Sequence, residues 1–195
     1  MIFPLSLGVL SQSSGAPPAP TLQDTAKLSF GYSYDPSTGG DKWNVISSTS
    51  SSFGLQNPSD ASTGWSAQGT TTGFDRLSTN VTGASATGLF PETARDQAFK
   101  VDYGNSPVLT LSGLDDTATY DIVFTSTRSG SAVDYQGYFT VNGGDQKLVD
   151  AKNENTAEWT WEDISSSSGA ITVEVVAVVS GGDAMLNGLI IYEYK

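Results

Sequence analysis

From Lys27 to the C-terminus, apolar residues recur at every second position, in short runs separated by turn signals. Leu28, Phe30, Tyr32 and Tyr34 open the pattern. Phe99, Val101 and Tyr103 follow, then Leu109 with Leu111 and Tyr120, Ile122 with Phe124. Val133, Tyr135, Gly137, Phe139 and Val141 make the next run, and Trp159 and Trp161 share one face. Ile171, Val173, Val175, Ala177 and Val179 form the longest run, and Ile190, Tyr192 and Tyr194 close the chain. A period of two puts one set of side chains on each face of an extended strand. Asp35-Pro36, Asn57-Pro58, Asp115-Asp116, Asn142-Gly143-Gly144 and Gly181-Gly182 punctuate the runs as turns. No stretch of ten or more residues carries a helical period, and only Glu92–Asp96 suits a helical turn. Half-apolar strands must bury one face, so the expected fold is all-β, a jelly-roll β-sandwich. Ser47 to Gly88 reads as irregular strands and long loops carrying Phe53, Leu55, Trp65, Phe74 and Leu77.

Composition narrows the chemistry. The 195 residues include no histidine and no cysteine. A Ser-His-Asp triad, a Cys-His pair, the usual zinc sites and disulfides are therefore excluded. The many serines lack a base, since no lysine stands in a Ser-x-x-Lys context. The acid pairs Asp115-Asp116 and Glu162-Asp163 sit by turns and read as solvated. The expectation is a protein that is not an enzyme. Nine basic against 21 acidic side chains leave a net charge of −12, which disfavours nucleic acid as a partner. No apolar run is long enough to span a membrane. A structural calcium would draw on Asp35, Asp41, Asp145, Asp150 and Asp183. The D-x-D-x-D-G loop is missing, however, so ion-free loops and no cofactor are expected.

The first 26 residues differ from the rest. Ile2, Phe3, Leu5, Leu7, Val9 and Leu10 make an apolar leader, and Ser11–Pro20 is a Ser/Pro linker. A cleaved signal peptide is disfavoured because no Lys or Arg precedes Lys27 and Pro4 interrupts the apolar run. The expected division is an arm and linker over 1–26 and a jelly-roll domain over 27–195. Against a partner, each large apolar arm side chain would contribute roughly 1.5–3 kcal/mol. The linker would reach roughly 30–40 Å.

Two resemblances follow from particular segments. Ser29-Phe30-Gly31, Trp43-Asn44, Ala94-Arg95-Asp96, Leu111–Asp115, Thr119–Ile122, Thr125–Ser129, Tyr138–Gly143, Asp150–Asn153, Gly169–Val173 and Leu186–Ile190 stand in the order expected of a galactose-binding-domain-like jelly roll. The chain from Leu28 onward resembles that family, which implies the fold rather than one function. Met1–Ser11 resembles the uncleaved N-termini of tailed-bacteriophage virion proteins.

The resemblances imply a non-enzymatic virion structural protein, with capsid decoration favoured. Its arm would be anchored to a major capsid protein, and the domain would self-associate as a dimer or trimer. The alternatives are a tail or tail-fibre component bound to an adaptor and to host glycans, or a secreted bacterial carbohydrate-binding module. For glycan binding the candidates are Trp65, as an exposed platform in a Gly/Ser/Thr loop, then Trp159, with Arg95 and Arg128 fixing hydroxyls. Trp161, Tyr120 and Phe139 are expected in the core.

Overall fold

The computed structural model describes residues 19–195 except 32–35, 38, 49, 71, 78–88, 92–93, 95–97, 129–134 and 152–157. The leader residues Ile2 to Leu10 and the candidate Arg95 lie outside the described residues, as do Tyr32, Tyr34, Asp35 and Val133.

Fourteen strands are formed among the described residues, and they build a jelly-roll β-sandwich. The first, β1 (Leu22–Phe30), starts five residues before the expected domain boundary at Lys27. It does so because its start is tied to the chain's end. Leu22 pairs with Tyr194, and Thr21 and Lys195 exchange backbone hydrogen bonds of 2.7 and 3.0 Å. Short β2 (Asn44–Ile46) lies parallel to β1. The stretch expected to be irregular holds β3 (Phe53–Gln56), β4 (Ser62–Gly69) and β5 (Asp75–Leu77). Then come β6 (Ala98–Asp102), β7 (Val108–Ser112), β8 (Thr119–Thr125), β9 (Gln136–Val141) and β10 (Gln146–Asp150). The chain ends with β11 (Glu158–Ser165), β12 (Ala170–Ala177), β13 (Asp183–Leu186) and β14 (Gly188–Tyr194).

One sheet has the order β11-β8-β14-β1-β2 and the other β10-β9-β12-β7-β4-β3, while β13-β6-β5 form a small third sheet. The inward residues of all three meet in one core. Leu28, Phe30, Ile122, Phe124, Leu189 and Ile191 come from the first sheet, and Trp65, Leu109, Leu111, Phe139, Val173 and Val175 from the second. Phe99, Val101, Ala184 and Leu186 come from the third. Ala184 presses on β9 so closely that a Cβ on Gly137 would lie 2.5 Å from its own Cβ.

The two sheets are also joined by polar clamps. Asn44 Nδ2 donates to Lys27 O (3.0 Å) in one sheet and Gln56 O (2.8 Å) in the other, and Asn44 Oδ1 accepts from Gln56 N (2.9 Å). The C-terminal strand is locked by Tyr120. Its buried hydroxyl accepts from Asp115 N at 2.7 Å and faces Glu193 Oε1 at 3.1 Å. Burial pushes that phenol above its ordinary value. Lys195 closes over the outside, 2.7 Å from Asp115.

Candidate functional site

The outer faces of the two large sheets are treated differently. On the five-stranded sheet, the outward residues Val123 and Ile190 are capped by Trp43, Phe90 and Ala94, which form a second apolar cluster. The rings of Trp43 and Phe90 lie 5.8 Å apart. A Cβ on Gly188 would stand 2.8 Å from Phe90, so that face is filled. The third cluster, Ala98, Tyr135, Ala151 and Met185, lies beside the small sheet. No apolar cluster of described residues forms on the outside of the six-stranded sheet.

That open face is assembled by register. Thr172 stands opposite Thr110, and Thr110 opposite Gln68. In the next row, Ala170, Ser112 and Ser66 are partners across three strands. On the other side, Gln146, Thr140, Glu174 and Val108 form a row. Beyond it Leu148, Tyr138 and Val176 form another. Neighbouring strands lie about 4.8 Å apart, so the face spans about 24 Å across six strands. Ser52, Ser66, Gln68, Thr70, Thr110 and Ser112 line a hollow of about 210 Å³ at one end. At the other end Tyr138 is 36% and Leu148 48% exposed. The face therefore couples a field of hydroxyl and amide groups to one exposed aromatic ring.

The residues singled out from the sequence go elsewhere. Trp65 is a correction: it is 5% exposed and packs edge-on against Tyr120, with ring centroids 6.1 Å apart. Its loop reading failed because Ser62, Gly64, Ser66 and Gln68 on β4 face outward while Trp65 and Ala67 alternate into the core. Trp159 stands opposite Phe124 and packs, half-buried, against the same core. Arg128 lies past the end of β8, its guanidinium 4.6 Å from the Tyr135 ring centroid. The structure does not bring these three to one surface. Tyr138 was missed as a platform, although it stands one residue from the inward Phe139 and must therefore face out.

A second hollow, of about 260 Å³, lies between the loops at Gly39–Lys42 and Pro58–Asp60. Its polar groups serve one another. Lys42 N donates to Pro58 O (2.9 Å), Lys42 Nζ lies 3.7 Å from Asp60, and Asn57 Oδ1 accepts from Ser59 N and Ala61 N. The acids considered for calcium are dispersed. Asp41 pairs with Lys27 at 2.7 Å, and Asp150 accepts from Gln136 Nε2 at 2.8 Å. No group of three acidic side chains able to hold a metal occurs among the described residues.

Asp183 faces Asp102 across β13 and β6, with Lys100 3.9 Å from Asp183 and 2.5 Å from Asp102. Burial, and then the neighbouring Asp102 carboxyl, push Asp183 up, while the Lys100 hydrogen bond holds Asp102 down. A carboxyl raised in the folded state favours folding only while protonated, and that contribution is lost as pH rises through its folded value. Asp183→Asn is therefore expected to raise the melting midpoint at neutral pH. The gain should shrink in acid, near pH 4; thermal melts at the two pH values check this.

No protein-family model matches the sequence. No curated protein matches it in sequence either. Solved structures do resemble it in fold. The ANXUR2 extracellular domain from Arabidopsis thaliana aligns at a TM-score of 0.59 and 14% identity, over 90% of this chain and 50% of that one. Protein YXIM from Bacillus subtilis aligns at 0.52 and 17%, over 86% of this chain and 39% of that one. This chain thus spans half or less of the length of both. A family 35 carbohydrate binding module from Clostridium thermocellum aligns at 0.39 and 14%, over 64% of this chain and 90% of that one. The fold likeness rests on the first two. Nothing in these comparisons points to a phage virion, and the capsid-decoration expectation gains no support from them.

Proposed function

We propose that the chain is a carbohydrate-binding module without catalytic activity, whose ligand lies on the outer face of the six-stranded sheet. One observation carries this reading. Among the described residues that face is free of apolar cover, and its rows of Ser, Thr and Gln end on exposed Tyr138. Hydroxyl and amide side chains both donate and accept hydrogen bonds, as sugar hydroxyls do. A tyrosine ring offers an apolar face to the C–H side of a pyranose while its hydroxyl stays wet.

Retention on an array of immobilised oligosaccharides tests the reading. Tyr138→Ala should weaken retention about tenfold, a loss of about 1.4 kcal/mol, and leave the melting midpoint nearly unchanged. An array without hits contradicts the proposal, as does retention that Tyr138→Ala leaves intact.

A further inference from the structure

Beyond the reading of the sheet face as a carbohydrate site, and resting on it, the charge on that face carries a specificity. Among the described residues, two charged side chains stand on the outward rows, Glu174 and Asp150, and both are acids. Asp150 lies at one edge, engaged by Gln136. Glu174 stands in the interior of the sheet, directly between Thr140 and Val108 and one pleat from Thr172 and Val176. It forms no ion pair among the described residues.

Each cation whose side chain is described is directed away from this face. Lys27 pairs with Asp41, Lys42 with Asp60, Lys100 with Asp102 and Lys195 with Asp115. Arg128 covers the Tyr135 ring. Lys147, although on β10, turns inward to Thr160 O and over the Trp161 ring at 4.6 Å.

We propose that Glu174 is a specificity-determining residue that restricts the site to uncharged glycans and rejects uronates and sulfated sugars. Its carboxylate accepts hydrogen bonds from sugar hydroxyls and offers no donor to an anion. An anionic sugar laid across Thr172 and Thr110 stands within reach of that like charge. The chain's net charge of −12 adds to that repulsion. Near water's dielectric, one such contact at about 5 Å weakens binding about three- to tenfold.

The test compares neutral gluco- and galacto-oligosaccharides with their C6-oxidised uronate forms. The full chain and Glu174→Gln are measured at about 0.02 M and about 1 M salt. The expected result is neutral-sugar retention by both proteins, with uronates about three- to tenfold weaker on the wild type at low salt. High salt narrows that gap, and Glu174→Gln closes most of it. A gap that Glu174→Gln leaves unchanged overturns the inference while the carbohydrate reading stands. So does wild-type retention of uronates equal to that of neutral sugars. Wild-type retention of neither class overturns the carbohydrate reading and the inference with it.

Discussion

A Phe124→Ala variant is expected to lose about 3–5 kcal/mol of stability. Phe124 is fully buried on the central strand β8. Its ring meets Phe139 of the opposite sheet at 5.6 Å and Trp161 of its own sheet at 5.1 Å, both edge-to-face. Truncation removes the transfer energy of the ring, opens a cavity between the layers and ends two aromatic contacts of about 0.5–1.5 kcal/mol each. The Trp161 indole is tied on its other side, its Nε1 donating to Asp145 O at 3.3 Å with Lys147 over the ring. Chemical denaturation checks the size of the loss. A change below about 1 kcal/mol would mean that Phe124 is not the point where the sheets meet.

The second large effect is backbone in origin. Gly113 follows β7 with φ of 81°, in the left-handed region, and a Cβ there would stand 2.5 Å from Gly64 O. Gly113→Ala pays the left-handed conformation and a clash with a carbonyl that cannot rotate away. Together these cost about 3–5 kcal/mol. The clash also wedges apart β4 and β7, the two strands that carry Ser66, Gln68, Thr110 and Ser112. Oligosaccharide retention should therefore fall along with the melting midpoint. Gly104, ahead of β7, also has a positive φ, of 88°, but has open space around its Cβ position. Gly104→Ala should cost only about 1 kcal/mol. Equal losses at the two positions would rule out the clash and leave conformation alone as the cause.

Much of this architecture was legible in the period-two runs. Leu109 with Leu111, Tyr120 with Ile122 and Phe124, and Ile171, Val173, Val175 and Ala177 point inward on β7, β8 and β12, and Trp161 and Phe139 join them. The failures have particular causes. In β14 the expected apolar set, Ile190, Tyr192 and Tyr194, faces outward, whereas Leu189 and Ile191 supply the inner core. A strand buried on both faces has no alternation to read, and its second cover, Trp43 with Phe90, comes from segments distant in sequence. In β4 only Trp65 and Ala67 are apolar and inward, too few for a period of two to mark the strand or the burial of its tryptophan.

The candidate site was harder to see than the fold. Ser, Thr and Gln are ordinary on solvated strand faces, and nothing in their spacing says which sheet stays uncovered. That asymmetry depends on where the segment around Phe90 folds. Tyr138 was within reach of a stricter reading of β9, because the inward Phe139 forces its neighbour out. The lack of a cation near Glu174 among the described residues was not, since it depends on Lys147 turning under the sheet toward Trp161.

An amide chemical-shift titration with a retained neutral oligosaccharide asks whether the ligand lies on the uncovered face of the six-stranded sheet. Perturbations are expected at Ser66, Gln68, Thr110, Thr172, Glu174 and Tyr138, with the opposite sheet unmoved. Perturbations confined to the loops at Gly39–Lys42 and Pro58–Asp60, with those strands silent, would contradict that placement.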